Sequence, residues 1–433
     1  MRDAPAPPAL PTPPHRRVSN ASIAIAAAST VVEWYDFTLY LYFATVVARL
    51  FYGGDSAASL GTTLAGFALA YLMRPLGAAV FGHVGDRHGR KVMLLWSMAL
   101  MSAAMLATAL LPTMASIGPA AGVLLLLLRC VMGFAVGGEY SGVVAYLLEG
   151  AAPRRRGLVA SSASAASEVG GLLAVGVSAA TVALLSEAQL AGWGWRIPFF
   201  VGAALAGSVF VARSAMEESP DFEAQRAEGR VPEQPWRHSW THHRGGIARA
   251  FAISALGSIT YYVGITYVPA YLTSVGKMSE ARSLILSTIA AVVVIAVTPL
   301  TGMLSDRVGR RPVLVGVAVL SMVLPISLFL AMANGTWGGA LAGAVALAAV
   351  AGAMSAVGAV ATAEQFPGEG RVTGLAFGAT GATAIFGGLT PWLAHWLTER
   401  TGNPAIPGVM IAAVALAVLP LFWRLRETAP ARD

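Results

Sequence analysis

Apolar residues in this chain run in long blocks rather than in alternation. Stretches of about twenty or more recur from residue 21 to residue 424, each long enough to cross a hydrocarbon core roughly 30 Å thick as a helix. The pattern predicts twelve helices, over about 21–50, 57–82, 92–112, 118–147, 156–185, 196–213, 247–272, 282–304, 312–333, 337–364, 371–397 and 404–424. The short alternating strands of a membrane barrel are not seen. The longest polar stretch, EESPDFEAQRAEGRVPEQPWRHSWTHHRGG, follows the sixth block. It divides the chain into an N-terminal six-helix bundle (21–213), a central loop (214–246) and a C-terminal six-helix bundle (247–424), with polar tails at 1–20 and 425–433. The predicted class is an all-α membrane protein with twelve transmembrane helices in two six-helix bundles.

Composition agrees. Hydrophobic residues make up 56% of the chain and charged residues 12%, with a mean hydropathy of +0.66, whereas soluble domains carry about 25% charged residues. A net charge of +7 raises the question of nucleic acid. The Lys and Arg residues, however, crowd into segments on one side of the predicted helices, as the positive-inside rule requires. That places both termini, the central loop and the two tails in the cytoplasm and excludes nucleic acid as a partner. The Pro-rich opening lacks the short apolar core of a signal peptide, so 1–20 reads as a disordered tail. Cys130 lies inside an apolar block, which excludes a disulfide framework and a thiol metal cluster; no metal or cofactor is expected. No HExxH or GxSxG run suggests an enzyme.

The two halves repeat. Gly82-x-x-x-Asp86-Arg87-x-Gly89-Arg90-Lys91 joins helices 2 and 3, and Gly302-x-x-x-Asp306-Arg307-x-Gly309-Arg310-Arg311 joins helices 8 and 9. A second pair follows helices 4 and 10: Glu149-x-x-x-Pro153-x-x-Arg156-Gly157 and Glu364-x-x-Pro367-x-x-x-Arg371-x-x-Gly374. Matched halves imply two bundles with a site between them.

Ionisable residues inside the helices are few, and each costs roughly 2.5–3.5 kcal/mol at mid-bilayer on insertion scales, so each should face a partner or an aqueous cavity. Glu33 and Asp36 in helix 1, Arg74 in helix 2, Arg129 and Glu139 in helix 4 and Glu168 in helix 5 all fall in the first half. Glu33 and Asp36 lie on one helical face; they are candidate proton carriers, with Asp36 the stronger, or are neutralised by Arg74 or Arg129. Arg129 is a candidate clamp for a substrate carboxylate, or a buried counter-charge to the helix 1 acids. Glu139, after two glycines, is a further proton-carrier candidate, and Glu168 reads as lining an aqueous path. Tyr35, Tyr261 and Tyr262 are candidate substrate contacts. Pro269 is expected to break helix 7, and His395 to be packed.

The duplicated GxxxDRxGRK turn resembles the signature of the major facilitator superfamily. Glu33-Trp34-Tyr35-Asp36-Phe37, Arg129-x-x-x-Gly133-Phe134-x-x-Gly137-Gly138-Glu139 and Gly192-Trp193-Gly194-Trp195-Arg196-Ile197-Pro198-Phe199-Phe200 are similar to the metabolite/proton symporters. The resemblance implies a monomeric bacterial inner-membrane protein, with a small molecule and protons as its partners besides the lipid bilayer, working by alternating access. It also implies that Asp86, Arg87, Arg90, Glu149 and Arg156, with Asp306, Arg307, Arg310, Glu364 and Arg371, form a cytoplasmic gate. Within that family the expectation is import of a small organic acid, citrate- or dicarboxylate-like, by proton symport. A proline/betaine-type zwitterion is the alternative, and a drug/proton antiporter a more distant one.

Overall fold

The computed structural model describes residues 19–53, 57–231, 235–367 and 370–429. Most of the tail expected at 1–20, and residues 430–433 of the other, lie outside the described residues. The N-terminal bundle comprises α1 (Asn20–Tyr42, resuming after Phe43 as Ala44–Phe51), α2 (Ala57–His88), α3 (Arg90–Leu110), α4 (Ala120–Gly150), α5 (Arg156–Leu184) and α6 (Arg196–Ser214). The C-terminal bundle comprises α7 (Arg244–Tyr261, continuing through Val268–Ser274), α8 (Glu280–Val308), α9 (Arg310–Ala333), α10 (Trp337–Ala363), α11 (from Arg371–Leu375 to Thr390–Thr401) and α12 (Ile406–Arg424). Among the described residues nine of these pass a test of length and apolarity for crossing a membrane, and α7 makes ten when its two pieces count as one span.

The halves are built alike. In the first, α1 packs on α5, α2 on α4, and α3 on α6; in the second, α7 packs on α11, α8 on α10, and α9 on α12. The bundles meet where α5 lies against α8 and α10, and where α2 lies against α11. Each has its own apolar core, around Tyr35, Met101, Met105, Trp195 and Phe199 in the first and around Val263, Tyr271, Phe329 and Met332 in the second.

Three features of the chain's path matter. The central loop is not all irregular: Pro220–Ala227 and Pro235–His242 form short helices in it. Helix α7 breaks where Pro269 was expected to break it, bending by 43° between a π-helical segment, Tyr262–Thr266, and the piece Val268–Ser274, whose second residue is Pro269. Proline fits the first turn of a helix because its missing N–H has no partner there. Helix α11, in which Gly387 and Gly388 with Pro391 suggest a bend, carries two π-helical segments, Ala376–Thr380 and Ala384–Gly388.

The contact of α2 with α4 is the closest in the first bundle. A Cβ on Gly133 would overlap the Ala70 carbonyl oxygen, and one on Gly137 the Arg74 carbonyl oxygen. Small residues let two helix backbones touch where lipid offers no hydrophobic drive. Gly133→Val is therefore expected to cost about 1–3 kcal/mol or more by overpacking, read as a lower melting temperature and a lower monodisperse yield in detergent; an unchanged melting temperature would refute this packing account.

Candidate functional site

A cavity of about 180 Å³ lies between the bundles. Five aromatic rings stand in its wall: Trp34 from α1, Tyr71 from α2, Tyr140 from α4, and Tyr261 and Tyr262 from α7. Its only charged lining residues among those described are Glu33, Arg74 and Glu168, all from the N-terminal bundle. The C-terminal bundle contributes Ser254, Ser258, Ser355, Thr362, Thr380 and Thr383 beside apolar and glycine positions.

The buried charges are satisfied to different degrees. Arg129 holds Asp36 through both carboxylate oxygens, at 3.1 and 2.9 Å, and also donates to Thr108 Oγ1 at 3.2 Å. Glu139 is fully buried and accepts from Arg213 and from Ser97. Glu33 meets Arg74 only at 3.6 Å, and its Oε2 has no hydrogen-bond partner among the described residues. Arg74 instead leans on aromatic faces, 4.5 Å from the Tyr71 ring centroid and 5.4 Å from that of Phe37, a cation–π arrangement. Glu168 accepts a hydrogen bond from Tyr261 Oη across the bundle interface and has no cation partner among the described residues. Trp34 Nε1 is a second buried polar atom on this wall without a partner among the described residues.

Neighbouring tyrosines of α7 thus make two cross-bundle contacts, since the hydroxyls of Tyr262 and Tyr71 lie 2.6 Å apart. Gly387, in the second π-segment of α11, makes room for this: a Cβ there would press on the Tyr262 ring.

On the face carrying the central loop, the bundles are held together by aspartates capping helices. Asp86 accepts from the backbone N–H groups of Val372 and Thr373 at 3.3 and 2.8 Å. Asp306 accepts from those of Gly157 and Leu158 at 2.8 and 2.9 Å. Each aspartate of one bundle therefore sits on the helix start of the other, where unpaired N–H groups and the helix dipole favour an anion. Arg90 anchors Asp86 at 3.1 Å and Glu149 at 3.2 and 3.1 Å; Arg310 does the same for Asp306 at 2.7 Å and Glu364 at 3.2 and 3.3 Å. Arg371 crosses to Glu149 at 2.7 Å and also reaches Asp221 of the central loop at 3.0 Å. The equivalent pairing of Arg156 with Glu364 is not formed; Glu364 accepts from Thr428 instead. Arg87 and Arg307 are exposed at helix ends.

Beyond the last helix of each bundle a glutamate turns back onto the same turn. Glu218 accepts from the N–H groups of Arg90 and Lys91, and Glu427 from those of Arg310 and Arg311. Gly89 and Gly309, at φ 112° and 107°, leave room for these carboxylates, which a Cβ would strike. Burial pushes the Glu218 carboxyl above its usual range despite these bonds. For Glu427, burial is outweighed by backbone N–H donors, which hold the carboxyl below that range.

The chain can now be compared with known proteins. The profile of the sugar (and other) transporter family matches it twice, over residues 22–230 and 223–431. The chain belongs to that family, within the major facilitator superfamily. It is a multi-pass membrane transporter. It is 32% identical to a proline/betaine transporter of Escherichia coli strain K12 over 94% of this chain and 83% of that one. It is 34% identical to a citrate-proton symporter of Salmonella typhi over 91% and 92%. The major facilitator proton:xylose symporter XylE, at 21% identity, has the same fold with a TM-score of 0.76, covering 94% of this chain and 96% of that one.

Within the transporter's cavity stand Glu33, Arg74, Glu168, Tyr261 and Tyr262 of the residues singled out from sequence. Others stand elsewhere. Tyr35 is turned into the first bundle, its hydroxyl donating to the Pro198 carbonyl at 2.8 Å. Arg129 and Asp36 line a smaller cavity beside the main one, and Glu139 is enclosed. Glu33 and Asp36, though on one face of α1, each face a different arginine, Arg74 and Arg129. Arg213, Glu218, Glu427 and Asp221 were not among the candidates, and Arg74 was considered only as a counter-charge to the helix 1 acids. Arg74 was visible as the one cation within helix 2, and Glu218-Ser219 and Glu427-Thr428 as similar dipeptides after each sixth helix.

The enclosed pair yields a test. Glu139→Gln leaves Arg213 buried without its counter-charge, a loss of about 3–5 kcal/mol. Adding Arg213→Met is expected to restore most of the melting temperature, whereas a double variant no more stable than the single one would refute the pairing as the cause.

Proposed function

We propose that this transporter imports a small zwitterion together with a proton, in the bacterial inner membrane with both termini cytoplasmic, each chain working alone. One observation carries the reading: the cavity presents one guanidinium, Arg74, to a substrate carboxylate, amid two carboxyl groups and five aromatic rings. A citrate-like trianion would meet Glu33 and Glu168 with a single cation to offset it. A zwitterion needs one cation for its carboxylate and an anionic or aromatic wall for its positive end. Similarity to the proline/betaine transporter supports the same choice. Similarity to the citrate-proton symporter supports an organic acid as the second reading.

Coupling follows from competition for Arg74. With Glu33 ionised, Arg74 already has an anion beside it. Protonating Glu33 removes that anion and leaves the guanidinium to the substrate, so proton and substrate favour each other's binding, and the linkage is reciprocal. Protonating Asp36 or Glu139 would instead break a closely made ion pair. The proton thus belongs on Glu33, not on Asp36 as the sequence suggested. One proton with a zwitterion carries one net positive charge, worth about 2.3 kcal/mol per 100 mV, or roughly fifty-fold accumulation.

The closed loop-side face and the cavity above it describe one end of an alternating-access cycle. In the other, Asp86 and Asp306 would leave the helix starts they cap, and Arg371 would leave Glu149.

Two measurements test this. In a thermal-shift series, glycine betaine or proline is expected to stabilise the purified protein and citrate is not; stabilisation by citrate alone would favour the organic-acid reading. Substrate affinity is expected to weaken with rising pH, by about 5- to 150-fold in all, because a deprotonated Glu33 reclaims Arg74. Glu33→Gln should remove that pH dependence and abolish proton-driven accumulation while exchange persists. A Glu33→Gln variant that still accumulates substrate against a gradient would place the proton elsewhere.

A further inference from the structure

Glu168 is the one intramembrane carboxyl of the first bundle with no arginine among the described residues. Glu33, Asp36 and Glu139 face Arg74, Arg129 and Arg213, whereas Glu168 has only the Tyr261 hydroxyl. It lies on the cavity wall, 8% exposed. The same wall carries the rings of Trp34, Tyr140 and Tyr261, of which Trp34 and Tyr261 meet edge to face with centroids 5.4 Å apart. A carboxylate without a counter-ion, among aromatic rings, is the arrangement that binds an ammonium group.

We infer that Glu168 is the subsite for the positive end of the substrate, a quaternary or protonated amine, and thereby sets specificity for zwitterions over plain carboxylates. The inference rests on the zwitterion reading above and deepens it. Charge balance gives it a physical basis. The empty cavity with Glu33 and Glu168 ionised carries one more negative than positive charge. A proton on Glu33, the substrate carboxylate at Arg74 and the substrate cation at Glu168 leave every charge paired and the loaded cavity neutral. A neutral, fully paired interior is the one least penalised by exclusion of water. Tyr261 reports on the same event from the other bundle: it donates to Glu168 when no cation is there, so a cation arriving at Glu168 competes with a cross-bundle hydrogen bond. Substrate recognition is thus tied directly to the interface that has to move.

The test uses two ligands of one shape. Glycine betaine and 3,3-dimethylbutanoate differ in a quaternary nitrogen against a quaternary carbon, so only the first has a cation. Binding to the full-length protein in nanodiscs is measured by calorimetry at fixed pH. The wild type is expected to prefer glycine betaine by about tenfold or more, and Glu168→Gln to bring the two ligands to within about threefold. Glu168→Asp, which keeps the charge, and Tyr261→Phe, which keeps the carboxyl and removes its donor, are expected to retain the preference. Should Glu168→Gln fold poorly, those two variants still decide the matter, since loss of the preference in Tyr261→Phe would make Glu168 a structural latch and overturn the subsite. Betaine binding by Glu168→Gln with its preference intact overturns the subsite and leaves the zwitterion reading standing. Failure of the wild type to bind either betaine or proline overturns both.

Discussion

Charge placed in a low-dielectric interior has to be neutralised in place, and this transporter is arranged around how completely that is done. An unpaired ion in hydrocarbon costs several kcal/mol, and a buried pair repays its own desolvation only with good geometry and further hydrogen bonds. Asp36 with Arg129 and Glu139 with Arg213 come closest to that standard: each carboxylate faces a guanidinium closely and Thr108 or Ser97 adds a hydrogen bond, with only the arginine Nε atoms left without a partner among the described residues. Glu33 meets it poorly and Glu168 not at all with protein cations. The two poorly satisfied carboxyls are the two on the cavity wall. Satisfaction falls off toward the place where a ligand and a proton could complete it, which separates structural from functional charge without reference to any relative.

The same logic, applied to backbone rather than side chains, closes the loop-side face. A helix start exposes N–H groups that have no partner within the helix, and α5 and α11 each expose theirs toward the other bundle. Asp306 and Asp86 satisfy them. Both aspartates are held by an arginine four residues on, Arg310 and Arg90, which also fixes Glu364 or Glu149 within its own bundle. These arginine contacts survive any rigid movement of the bundles, whereas the caps do not. The closure is also uneven. Arg371 ties the second bundle to Glu149 and to Asp221 in the central loop, and nothing equivalent joins Arg156 to Glu364. The loop is therefore fastened to the closed arrangement on one side alone.

Much of this was legible in the residues. Long apolar blocks and a turn repeated at a fixed offset specified two bundles, and the rarity of charge within the blocks directed attention to Glu33, Asp36, Arg129 and Glu139. Pairing was not legible, because helical spacing tells which side chains share a face but not which neighbouring helix supplies the partner. Arg213 lies at the far end of α6 and Glu139 mid-way along α4, and only the packing of α6 and α4 around α3 brings them together. The caps escaped notice for a different reason: the sequence shows an aspartate and an arginine, which reads as an ion pair, whereas the bond across the bundles is to main-chain N–H groups that carry no sequence signal. In α11 Gly387 and Gly388 with Pro391 pointed to a bend, but the π-segment Ala376–Thr380 was hidden, since a run of Gly, Ala and Thr fits an α-helix as well as a wider turn.

Those π-segments complete the division of labour between halves that share one fold. The described cavity wall takes all its charge from the first bundle and none from the second. What the second contributes is irregular helix: Tyr262–Thr266 in α7, and Ala376–Thr380 and Ala384–Gly388 in α11. A π-turn widens the helix and weakens its hydrogen-bond ladder, and such turns concentrate at functional sites. Here they flank Tyr261 and Tyr262, which reach across to Glu168 and Tyr71. A charged framework that must keep its pairs intact is best built on straight, closely packed helices, and α2 and α4 are brought together through glycine. A wall that must open and close around a ligand is best built where the helix is already bent. Duplication supplied two like bundles, and at the cavity wall the charge comes from one and the π-segments from the other.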